Sequence, residues 1–263
     1  MKKGMPGFGF NVGDFFGQQQ DPKNPKITGA GNLPGGKFES LTIQGAGRVD
    51  GDVEAQSIRL SGAATINGDA KARVFDASGS CTVAGRINAD ELTSAGSLRA
   101  GRNIKAGTFD ARGAFSSGGD VEAKTFRARG GFAVDGRIKA RDIEIELNGR
   151  SHVKAIEGPN ISVKLGVSAG SVSSGGAVTV SFTGAGATAG VNIVSGASSG
   201  SEGILEAETI EGDTVKLEAT HAESVTGKRV HIGAGCKIQL VKYTVELKVD
   251  EDAKVEKSER TGK

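Results

Sequence analysis

LTIQGAGRVDGDVEAQSIRLSGAATINGDAKARVFDASGSCTVAGRINA, residues 41–89, carries nearly three copies of one 17-residue pattern. Leu41, Ile58 and Phe75 lead the copies, and Leu92, Phe109, Phe126 and Ile143 continue them at the same spacing. Four residues after each of the first six leads stands a glycine: Gly45, Gly62, Gly79, Gly96, Gly113, Gly130. Ten residues after stand Gly51, Gly68, Gly85, Gly119 and Gly136, with Arg102 the single exception. Fourteen residues after runs an unbroken alanine column: Ala55, Ala72, Ala89, Ala106, Ala123, Ala140. A fixed period of this kind decides the fold before any local propensity does.

Number each copy from its leading residue. Apolar or small side chains then fall at positions 1, 3, 7, 9, 13 and 15, as in Leu41, Ile43, Gly47, Val49, Val53 and Ala55. The residues between are mostly polar. That is the two-residue alternation of strands, not a helical period. Glycines at positions 5 and 11 interrupt the alternation where the chain must turn corners. The pattern predicts an all-β, single-stranded β-helix (a β-solenoid) with one 17-residue copy per coil. Two interior columns vary in opposite senses. Position 3 reads Ile43, Leu60, Ala77, Ser94, Ala111, Ala128, while position 7 reads Gly47, Ala64, Cys81, Leu98, Phe115, Phe132. Volume exchange between neighbours is what one narrow, close-packed core demands.

The remainder of the chain bounds the reading. Of 263 residues, 5% are aromatic and none is tryptophan, which suits a thin core. A net charge of +2 with dispersed charges speaks against a nucleic-acid partner. Cys81 and Cys236 lie coils apart and read as small core residues, not a disulfide.

The period divides the chain. Residues 1–36 do not repeat and read as a disordered tail. Lys2 and Lys3 with Phe8, Phe10, Phe15 and Phe16 make a membrane or partner anchor the sharper reading for it. Coils fill 37–165. Residues 166–203, rich in Gly, Ser and Ala, read as an insertion within one coil, either a linker or a hairpin from AVTVSF (177–182) and VNIV (191–194). The repeat resumes in 204–249: GILEAETI (203–210) overlays GDVEAQSI (51–58), and Val215, Val230 and Val245 follow at 15-residue spacing. Residues 250–263 read as a charged, disordered tail.

Catalytic signals are weak. His152, His221 and His231 have no nucleophile, carboxylate pair or cysteine at a telling spacing, and no cluster has metal-ligand spacing. The Gly-x-Gly pieces open no helix, so they do not cradle a nucleotide. The expectation is no enzyme, no cofactor and no metal.

RVDGDVEA (48–55), TINGDAKA (65–72), TVAGRINA (82–89) and AVDGRIKA (133–140) resemble the coils of bactofilins, the polymer-forming bacterial cytoskeletal proteins. The resemblance covers roughly 37–165 and, more loosely, 203–249. It implies a right-handed β-helix that stacks end to end into nucleotide-free filaments in the cytoplasm, often at the inner face of the membrane. The partner is then the chain itself. Phe38, Leu41 and Ile43 are the expected contact at one end, and Val245 and Leu247 at the other. Two alternatives stand beside this. VHIGAGCKI (230–238) resembles a hexapeptide-repeat phrase of left-handed β-helix acyltransferases. A surface-binding or adhesion solenoid is the third reading.

Overall fold

The computed structural model describes residues 21–166 and 203–262. They form one sheet of twelve strands, all paired in parallel, with no helix among the described residues. In chain order these are β1 (Lys26–Ile66), β2 (Ala70–Val83), β3 (Ile87–Ala100), β4 (Ile104–Ser117), β5 (Val121–Gly130), β6 (Phe132–Leu147), β7 (Arg150–Glu157), β8 (Asn160–Leu165), β9 (Ile204–Leu217), β10 (Thr220–Ile232), β11 (Lys237–Val249) and β12 (Lys254–Arg260). Each pairs with its counterpart one coil away: Ile58 with Phe75, Phe75 with Leu92, Leu92 with Phe109. The chain is a β-solenoid, and its coils are stacked at the spacing of paired strands, about 4.8 Å.

The three corners differ. β2, β3 and β4 each run unbroken past the alanine column and through position 5, and give way at positions 10–12. At position 5 the seven stacked glycines from Gly29 to Gly130 all take positive φ, between 90° and 134°. A Cβ on any of the later six would meet the preceding coil's glycine backbone. Position 11 is glycine for another reason. The Asp52 carboxylate accepts the Asp69 N–H at 2.7 Å, Asp69 accepts Arg86 N–H at 2.8 Å, Asn103 accepts Asp120 N–H at 3.3 Å and Asp120 accepts Arg137 N–H at 2.9 Å. These oxygens lie where a Cβ at Gly68, Gly85, Gly119 or Gly136 would stand. The coil before Arg102 carries Arg86 in place of the Asp or Asn, so no acceptor occupies that space. The exception in the glycine column follows from the exception in its neighbour.

Position 7 continues past Phe132 as Ser151, Leu205, Thr220 and Cys236, while position 3 continues as Ile145, Val163, Leu217 and Ile232. Bulk therefore returns to position 3 as position 7 shrinks again. At the middle of the column Phe109, Phe115, Phe126 and Phe132 pack with ring centroids 5.1–6.4 Å apart. The small polar members are hydrogen-bonded: Ser151 Oγ accepts Phe132 N–H at 3.3 Å, and Thr220 donates to the Glu218 carbonyl at 2.9 Å. Among the described residues no buried side-chain polar atom is left without a partner.

The structure moves four boundaries. The first coil begins at Lys26, inside what reads as tail, because Ile27 packs in the core and Gly29 heads the position-5 column. Pro34 fits within β1 because its coil lies at one end of the strand order, where a missing N–H costs no ladder bond. GILEAETI overlays a different side of the coil from the one its sequence match indicates: Leu205 pairs with Ser151 at position 7, and Ile210 with Ile156 at position 13. The sides of a coil share one apolar-x-apolar phrase, so an eight-residue match does not fix which side it occupies. Val245 falls in a bulge, and Leu247 and Val249 stack on Val230 and Ile232, returning the last coil to a 17-residue step. Residues 254–260 form β12 on β11, not a disordered tail.

Candidate functional site: the coil ends and the outer face

Outward side chains form ladders along the stack. Glu54 meets Lys71 at 2.8 Å and Lys37 at 3.0 Å, Lys105 meets Glu122 at 3.3 Å, and Arg127 meets Glu144 at 2.9 Å, each pair one coil apart. The hydrogen bond from Lys71, with a second from Lys37, holds the Glu54 carboxyl down at about 2. Exposed pairs of this kind set register more than they add stability.

Leu41 and Ile43 are fully buried, covered by the coil that begins at Lys26, and so do not form the end surface. Phe38 is partly buried against the core. The expected end contact moves outward by one coil, to the coil of Ile27 and Leu33. At the opposite end Val245 is 54% exposed, Val249 is 43% exposed and Leu247 is partly buried. Here β12 pairs only with Lys237–Tyr243 of β11. Among the described residues nothing pairs with the outer edge of residues 246–249, so unpaired backbone and exposed valines coincide on half a coil. The anchor residues Lys2, Lys3, Phe8, Phe10, Phe15 and Phe16 lie outside the described residues.

The insertion is rooted at one corner. Leu165 pairs with Leu147, and Ile204 pairs with Arg150 in the same neighbouring coil. That coil crosses the same corner with only Asn148 and Gly149 between Leu147 and Arg150. The strand calls within 177–194 lie outside the described residues.

His152 and His221 pair in register with opposite sides of Glu206, and the three line a shallow groove of about 460 Å³. His231 points outward and lies 3.1 Å from Asp250. Among the described residues no group of three or more His, Cys, Asp or Glu side chains is placed to hold a metal ion. Cys81 and Cys236 share the position-7 column; burial raises their thiols to about 12 and about 11. No helix of the described residues is long and apolar enough to cross a membrane.

No protein-family model matches the chain, and no solved structure matches it. Part of it is similar to two Bacillus subtilis (strain 168) proteins. It is 44% identical over 55 residues to the uncharacterized protein YhbE, covering 21% of this chain and 23% of that protein. It is 43% identical over 54 residues to the uncharacterized protein YhbF, covering 20% and 23%. The match thus spans about a quarter of each relative's length.

Proposed function

We propose that this chain is a structural scaffold that assembles end to end into filaments, without nucleotide, metal or catalytic activity, in the cytoplasm. The observation that carries the reading is the half-open coil at the far end of the stack. There, among the described residues, no strand pairs with the outer edge of residues 246–249, which lies beside exposed Val245 and Val249. An unpaired edge with apolar flanks is a template for another strand. The outermost coil at the other end presents a parallel strand edge of its own in β1. A second copy docking there continues the ladder and the core at once.

Negative-stain electron microscopy of the full chain in plain buffer tests this. Filaments are expected without added nucleotide or metal. Leu247→Arg and Val249→Arg should abolish them while the β circular-dichroism signal persists. Unchanged filaments in both variants, or a discrete compact oligomer of the unmodified chain, would overturn the reading. The segment 1–20 supplies a membrane contact in this account, checked by liposome co-sedimentation with and without it.

A further inference from the structure

We propose that the corner formed by Arg86 and Arg102 is a binding site for a phosphate group. The proposal stands independently of filament assembly. At Asp52, Asp69, Asn103 and Asp120 this corner sets an acceptor against the next coil's glycine or N–H, and the carboxylate or carboxamide of one coil caps a backbone N–H of the next. Between Asp69 and Asn103 both columns change together: Arg86 replaces the acceptor, and Arg102 replaces the glycine that would sit against it, whereas Arg137, the other arginine of the acceptor column, pairs with Glu157 at 3.0 Å. Two guanidiniums are thereby rooted on adjacent coils, where like charges repel. Among the described residues neither guanidinium has an ion-pair or hydrogen-bond partner.

They share a groove of about 500 Å³ with Asn88, Asn103, Lys105, Gly118 and Glu122. Its lining is rich in donors. Asn103 Oδ1 is occupied by the Asp120 N–H, which leaves the carboxamide NH₂ to donate elsewhere. Glu122 is the one carboxylate, and Lys105 pairs with it at 3.3 Å. The two arginines are therefore the groove's charges without an ion-pair partner among the described residues, and Gly118 adds no side chain that would fill the space between the coils. The backbone beneath them is fixed: the buried Ser117 hydroxyl donates to the Arg102 carbonyl at 2.9 Å, and the Arg86 N–H donates to Asp69 at 2.8 Å. A phosphate monoester or inorganic phosphate matches this set. Its dianion balances two guanidiniums, and its oxygens accept forked N–H donors in a way a single carboxylate does not.

The test uses the full chain at low ionic strength. One arm titrates inorganic phosphate by calorimetry. The other measures co-sedimentation with phosphatidylcholine vesicles, with and without phosphatidic acid, whose headgroup is a phosphate monoester. Binding in either arm is expected, and the arm that responds identifies the source. R86Q/R102Q should weaken it by at least about tenfold, whereas R59Q/R73Q, which removes the same charge elsewhere, should leave it within about twofold. R86D/R102G, which restores the repeat's own Asp and glycine, should abolish binding while melting at or above the unmodified chain. No binding in either arm, or equal loss in both double Gln variants, would overturn the proposal.

Discussion

Gly79 takes φ of 110°, with the Gly62 backbone against the space a Cβ would need. Both conditions hold along the whole position-5 column, so Gly79→Ala should destabilise the fold by about 2–3 kcal/mol. The neighbouring exposed Ser80→Ala should change it by less than about 0.5 kcal/mol. Urea denaturation compares the two. The thiols give a pH prediction. Burial raises Cys81 to about 12 and Cys236 to about 11, above the ordinary value of 9.0. The folded state therefore keeps its thiol protons while the unfolded chain loses them. This contribution is complete below pH 9 and is lost as pH rises through the folded values. C81A/C236A should lose less stability than the unmodified chain between about pH 9 and 11, as denaturation midpoints at each pH would show. Both glycine columns are legible in the sequence, but their causes are not. Position 5 needs a backbone conformation, and position 11 needs room for the preceding coil's Asp or Asn. The role of Asp52, Asp69 and Asp120 comes from their hydrogen bonds to the next coil, which no spacing in the sequence reveals.

Core bulk passes from position 3 to position 7 and back along the stack, and the six coils with a perfect period show the first half of that exchange in the sequence. The packing makes it a thermodynamic statement. Phe115→Ala should cost about 3–5 kcal/mol. Ala111→Leu on the same coil should recover part of that loss, although alone it overpacks the core by about 1–3 kcal/mol. A double-mutant cycle in denaturant measures the coupling. Beyond Ile143 the sequence reading loses register because the corners change length. The step from Ile143 to Ile161 is 18 residues, a bulge interrupts residues 244–245, and the sides of a coil share one short apolar phrase. The insertion is a corner-length change of the same kind. Since Leu165 and Ile204 flank what is a two-residue corner in the adjacent coil, replacing 166–203 with Asn-Gly should leave the β circular-dichroism signal and the denaturation midpoint intact. Loss of cooperative unfolding would show that the segment supports the stack.

For the molecule as a whole, the solenoid follows from the period, while the end surfaces depend on where the stack stops. Ile27 and Gly29 precede Ile43 and Gly45 by 16 residues, one short of the period, and with Pro22, Pro25 and Pro34 around them they read as tail. That placed the expected end contact one coil too far inward, on Leu41 and Ile43. At the opposite end the 15-residue spacing put Val245 in the Val230 column, whereas a bulge gives that place to Leu247, and the half-covered edge of β11 emerges only once β12 is placed. The scaffold reading makes one geometric demand: coils must continue from copy to copy along a single axis, with strands perpendicular to it. X-ray diffraction from aligned filaments measures this directly. The account predicts a meridional reflection at about 4.8 Å, the coil spacing, weakened together with the filaments in Leu247→Arg. A 4.8 Å reflection on the equator would mean that the solenoids lie across the filament, and would contradict end-to-end assembly.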